Sequence, residues 1–326
     1  MQNHYSKLAI LGIFIFVVTS IDGQYFRRQT YWKQDRAEIF GGIGVSNFLG
    51  DLGGRDQIGT DFYWDLELSV TKPAITLGYR YRTSRKTALR TAFSFGVVAG
   101  DDKLTKEQFR STRNLHFRSN IFELSTTFDF EIYEFRPGHR YSLGVKGTGS
   151  RYGAVIYGIV GVSGFYFNPQ ANYQGNWVDL KPLGTEGQNF EDGADSYSNF
   201  GIGIPAGIGY RKRVNSVASI GIEFLHRFTF TDYIDDVSTN YYDNTEITLQ
   251  DGPIAGYLAD PSLPVFVTPE GDVLPGIATN PTAQRGDEND KDAFMFITVN
   301  YQRRLKKNNF RRSKRVIRRR GKKIVF

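Results

Sequence analysis

Glu123, Asp129 and Glu131 share one parity of a segment whose other parity reads Phe122, Leu124, Thr126, Phe128, Phe130 and Ile132. Side chains alternate between the two faces of a strand, so this spacing aims carboxylates one way and phenylalanines the other. A buried carboxylate needs a partner or water. Arg80, Arg82 and Arg90 lie on one face of a hairpin over residues 74–98 and are the expected partners, and Glu223 and Arg227 share a face of a later strand. These eight residues form a candidate charge network inside a barrel. A second concentration of charge closes the sequence. From Arg303 to Phe326 there are thirteen Lys or Arg and no acid. Within it Arg311, Arg312, Lys314, Arg315, Arg318, Arg319, Arg320, Lys322 and Lys323 are candidate partner-binding residues. In the cytosol such a run would suit nucleic acid. The leader described below directs it instead to an acidic protein surface or anionic headgroups, or leaves it a solvated extension.

Other chemistry is thinly represented. Asp232, Asp235, Asp236 and Asp243 could supply oxygens to a hard cation, but they lack the glycine and terminal glutamate of a calcium loop. Local turn capping is the expectation. There is no Cys, hence no disulfide framework, lipidation site or reactive thiol. Beyond the leader the histidines are His116, His139 and His226, and no P-loop or Cys/His cluster accompanies them. Covalent catalysis needs a nucleophile beside a positioned base. His226 is followed by Arg227-Phe228, unlike the His-x-Ser pattern of lipid A deacylase barrels. The expectation is therefore a protein without cofactor that is not an enzyme. A lipid-modifying enzyme, an adhesin or a narrow pore stand as alternatives.

The elements that must position these charges follow from length and pattern. The chain has 326 residues with 35 Gly, 26 Phe and 19 Tyr, and its mean hydropathy is −0.39. Lys7 precedes an apolar run, Leu8 to Val18, then Thr19-Ser20-Ile21-Asp22-Gly23. The run is too short to anchor a membrane helix and suits a secretory leader, cleaved after Gly23. Alternating segments recur at residues 38–46, 74–82, 88–98, 122–133, 152–167, 199–211, 218–231 and 293–301. The fifth is apolar on both faces, so its phase stays open. The sixth carries Gly201, Gly203, Gly207 and Gly209 on its inner face, which a narrow barrel uses to admit bulkier neighbours. Connections after the first, third, fifth and seventh segments are long, those after the second and sixth are short, and the one after the fourth is an intermediate exception. That asymmetry belongs to outer-membrane barrels, whose short turns face the periplasm. The expected fold is all-β, an eight-stranded antiparallel transmembrane barrel with long extracellular loops and a basic periplasmic tail. The expected division is a signal peptide at 1–23, a barrel at 24–305 and a tail at 306–326, located in the cell outer membrane. Tyr79, Tyr81, Phe128, Phe130 and Tyr301 are expected near the periplasmic interface.

Three segments carry a family resemblance. Gly44-Val45-Ser46-Asn47-Phe48-Leu49-Gly50-Asp51 resembles the G-x-S-N-Y-x-G-D stretch of PorG-like proteins, small outer-membrane barrels of the Bacteroidota type IX secretion system. Thr231 to Tyr242 is similar to that family's loop after the penultimate strand. Gln284-Arg285-Gly286-Asp287, with Asp292 to Phe296, resembles its approach to the last strand. The resemblance implies a non-catalytic component that contacts the periplasmic ring lipoprotein and ring protein; export past the leader places it among outer-membrane lipid and leaves no nucleic acid as a partner.

Overall fold

A computed structural model describes residues 36–52, 70–104, 108–135, 153–215, 217–267, 273–275, 279–288 and 290–305. The leader at 1–23 and the tail at 306–326, with all nine of its candidate residues, lie outside them, as do His139 and most of the connection after the fourth segment. The strands are β1 (Ala37–Leu49), β2 (Lys72–Arg82), β3 (Thr87–Asp101), β4 (His116–Phe135), β5 (Ala154–Tyr166), β6 (Pro169–Tyr173), β7 (Asn176–Asp179), β8 (Phe200–Arg213), β9 (Ala218–Thr229), β10 (Val265–Val267), β11 (Val273–Pro275) and β12 (Ala293–Arg304). Eight of them close a barrel in the order β1-β2-β3-β4-β5-β8-β9-β12, every pair antiparallel and β12 returning to β1.

The alternation in the sequence becomes an inverted wall. Outward rows are apolar and exposed: Leu77 is 61 % exposed, and Ile43, Phe93, Leu124, Val162 and Ile202 also stand clear of the wall. Over residues 74–82, 88–96 and 123–131 the inward rows are polar or small and largely buried. The register brings Tyr81, Leu89 and Phe128 side by side near the short-turn end, with Tyr79, Phe130 and Tyr301 at the same end. β5 takes one phase: Tyr157, Ile159 and Phe165 point inward, Val160 and Val162 outward. The cause lies in β8. Gly209 opposes Tyr157, and Phe165 lies across Gly201, so closely that a Cβ at either glycine would meet the ring. Large rings and bare backbone are complementary halves of one packed lumen.

The connections differ from the polar loops expected. Residues 102–115 hold a 3₁₀ turn, Asp102–Leu104, and a helix, Gln108–Arg113. Between β5 and β8 the chain forms the β6–β7 hairpin, which continues the wall upward because β6 pairs with the outer part of β4 at Arg118 and Ser119. After β9 come helices Asn244–Asp251 and Pro253–Ala259 and the small β10–β11 hairpin. Alternation cannot report such elements, because short helices and hairpins in a polar loop are held by tertiary contacts. An aromatic core joins the loops to the barrel's long-loop end. Phe48 meets Phe117 edge-on at 4.8 Å, and Phe165 meets Phe294 at 5.3 Å. Burying each such ring contributes roughly 1.5–3 kcal/mol.

Candidate functional site

The lumen gathers all eight of the charged residues named above, and every one is paired. Arg80 and Arg90 stand directly opposite on β2 and β3. Two like charges at that spacing repel, and carboxylates from three other strands relieve them. Arg80 donates from Nε to Asp129 at 2.7 Å and from Nη1 to Glu38 at 2.8 Å. Arg90 donates from Nη1 to Glu223 at 2.8 Å and from Nε to the Thr127 hydroxyl at 3.1 Å. The Tyr157 hydroxyl also donates to Glu223. Arg227 grips Glu123 with two parallel bonds, 3.1 Å from Nε and 2.8 Å from Nη2. Bidentate pairs of this kind are both strong and geometrically specific. Its guanidinium also lies 4.2 Å from the Phe296 ring centre.

The pairing differs from a reading of adjacent strands. Arg82 does not reach a β4 carboxylate; it lies 3.1 Å from Glu38. Glu123 and Glu131 turn to Arg227 and Arg211 instead of the β2–β3 arginines. Closure of the wall explains this, since the barrel brings β8 and β9 across the lumen from β4. Glu38, Arg211, Arg304, Tyr157 and Gln302 belong to the network but were not among the candidate residues. For Arg211 the signal was present, as it continues the inward parity of the β8 glycines. Between the layers a cavity of about 20 Å³, lined by Arg90, Glu223 and Arg227 together with Phe40, Leu225 and Phe296, has room for one water.

A second buried network ties the loops together above the barrel. Arg113 binds Asp102 at 2.7 and 3.0 Å and donates to the carbonyls of Arg285 and Asp51. Arg285 reaches Glu186 at 2.9 Å. Of the four aspartates weighed for a cation, Asp243 caps the helix Asn244–Asp251 by accepting from the Thr245 N–H, and Asp232 accepts from the Ser238 hydroxyl. Asp235 accepts from the N–H groups of Val237 and Leu52, the second a bond to the β1–β2 connection, and Asp236 accepts from the Tyr197 hydroxyl. Asp292 accepts from the Ile234 N–H at 2.7 Å. Burial pushes Asp51 and Asp236 up to about 6 and Asp232 up to about 7. Burial, followed by the charges of neighbouring aspartates, pushes Asp235 and Asp292 well above the ordinary carboxylate range. His116 accepts the Asn172 N–H, joining β4 to β6, and His226 packs its ring 4.2 Å from that of Phe228 on the outward parity of β9.

A family model described as a domain of unknown function, DUF6089, matches residues 25–176. No curated protein sequence matches the chain. Among solved structures, the chain is similar to Ail, the attachment invasion locus protein of Yersinia pestis, with a TM-score of 0.35 and 9 % identity over 83 % of this chain and 99 % of that one. It is similar to Neisserial surface protein A with a TM-score of 0.33 and 5 % identity over 82 % and 97 %. The N-terminal β-barrel domain of Pseudomonas aeruginosa OprF gives 0.31 and 8 % over 82 % and 98 %.

Proposed function

We propose that this chain is a non-catalytic outer-membrane barrel of the type IX protein secretion and gliding machinery, which holds the periplasmic ring beneath the membrane. The observation that carries the reading is the inverted wall, apolar outside and ion-paired inside. Such a wall is suited to hydrocarbon around it and poorly suited to water. The short-turn end then faces the periplasm and the loop cap faces outward. A lumen filled by side chains supports an anchor rather than a conduit. The secretion-specific part rests on the three segments that resemble PorG-like proteins, which make the ring lipoprotein and ring protein the partners. On this topology the tail at 306–326 follows β12 into the ring's compartment. Its uncompensated charges act over about 8 Å at physiological salt, so they require a closely docked acidic surface.

Crosslinking in native envelopes, followed by identification of the captured proteins, tests this. The ring lipoprotein should be recovered, and truncation after Leu305 should weaken its recovery while leaving the barrel folded. Recovery of the barrel alone at every crosslinker length would reduce the protein to a free-standing outer-membrane barrel.

A further inference from the structure

Charge is unevenly spread along the lumen. Toward the loops, Arg90 and Arg227 are matched by Glu223 and Glu123. At the short-turn mouth Glu38 is shared among Arg80, Arg82 and Arg304, at 2.8, 3.1 and 3.1 Å. Arg211 has Glu131 at 3.3 Å. Arg213, the next inward position of β8, is exposed and close enough to Arg304 to repel it, and Arg304 repels Arg82 in turn. Arg82, Arg211, Arg213 and Arg304 thus outnumber the three carboxylates at this mouth, Glu38, Glu131 and Glu134, the last in register with Arg211, and Glu38 is already engaged by Arg80. Arg82 is only 7 % exposed, yet its Nε makes no hydrogen bond despite lying near Glu38. That Nε is enclosed against Glu38, 3.1 Å away, so the complement of an anion is the surplus positive charge of exposed Arg213 and partly buried Arg304.

We infer that this mouth receives an acidic segment of a periplasmic protein, whose Asp or Glu side chains meet Arg213 and Arg304. Lipid phosphates are a poorer match. They lie in the plane of the membrane and meet the outward-facing Lys212 and Arg303, whereas inward-facing arginines are approached along the barrel axis. A carboxylate also fits the fork of an arginine, two N–H groups at a time. The inference takes the periplasmic orientation of the mouth from the proposed function and is independent of the tail.

Full-length protein in detergent, titrated with a fluorescein-labelled oligoglutamate peptide and followed by anisotropy at low and physiological salt, tests it. Arg213→Glu with Arg304→Glu should weaken binding about tenfold or more and flatten its salt dependence. Lys212→Glu with Arg303→Glu should leave it near wild type. A full-length variant with the tail's Lys and Arg replaced by Gln separates the two basic regions. Mouth substitutions that still weaken binding in that background support the inference, even where the neutral tail retains the ring as well as wild type and the tail reading fails. Mouth substitutions without effect there overturn it, whatever the tail does. So does loss of binding on reversing only Lys212 and Arg303. Where the glutamate pair fails to assemble, judged by heat-dependent gel mobility, Arg213→Gln with Arg304→Gln takes its place under the same criteria.

Discussion

Arg227 and Glu123 illustrate how far single residues announce themselves. Their parity marks both as inward, and each is almost wholly buried. Removing one member of such a pair strands a charge in a dry interior. Arg227→Ala should therefore cost about 3–5 kcal/mol, measured by urea unfolding from lipid vesicles. Replacing both with leucine should cost far less, because no charge is left alone. What the sequence withheld was the partner. Arg80, Arg82 and Arg90 sit on strands next to β4, and adjacency pointed them at Glu123, Asp129 and Glu131. Only the closed wall shows that Glu123 pairs with Arg227 of β9 and Glu131 with Arg211 of β8. Glu38 escaped notice for the same reason, a lone carboxylate at the start of β1 whose three arginines come from both neighbouring strands.

Elements divide into those with a periodic signature and those without. Every barrel strand is visible in the alternation, and the glycine row of β8 told that something bulky must cross it. β5 alone kept its phase hidden, since Ile, Val and Tyr occupy both parities and the choice is made by Gly201 and Gly209 on the neighbouring strand. The loop cap was invisible because its cohesion is long-range: Asp235 binding Leu52, Arg285 binding Glu186, Asp292 binding Ile234. That cohesion should depend on pH. Asp51 and Asp236 titrate at about 6 and Asp232 at about 7 in the folded cap, against a reference near 3.8. Protons are held more tightly folded than unfolded, so the linked stability is complete below the reference value and is lost as pH rises through 6 to 7. Amide exchange at Leu52, Ile234 and Val237, corrected for its intrinsic pH dependence, should accelerate over that interval. Asp292→Asn, which removes one of the crowded charges, should flatten the response.

At the scale of the whole molecule, a polar cap closes one end of the barrel, paired side chains fill its middle, and arginines crowd the other end. The cavity between the lumen layers is large enough for about one water, and ion-paired side chains occupy the lumen above and below it. Planar-bilayer recordings of the purified protein should accordingly show no steady conductance, and Glu123→Ala, which removes a carboxylate from the plug, should raise the frequency of transient openings. Steady current through the wild type would mean that the ion pairs open on a functional timescale.

The seam between β1 and β12 orders events in time. The barrel cannot become edgeless until β12, the last described strand, is available to pair with β1. Before that moment β1 and β9 each present an open backbone edge, a surface prone to pair with another chain. Glu38 and Arg304 then set the alignment of the two ends, because a slip of one residue would turn Thr298, Asn300, Gln302 and Arg304 of the closing strand toward lipid. A single carboxylate near the start of the wall thereby proofreads its completion.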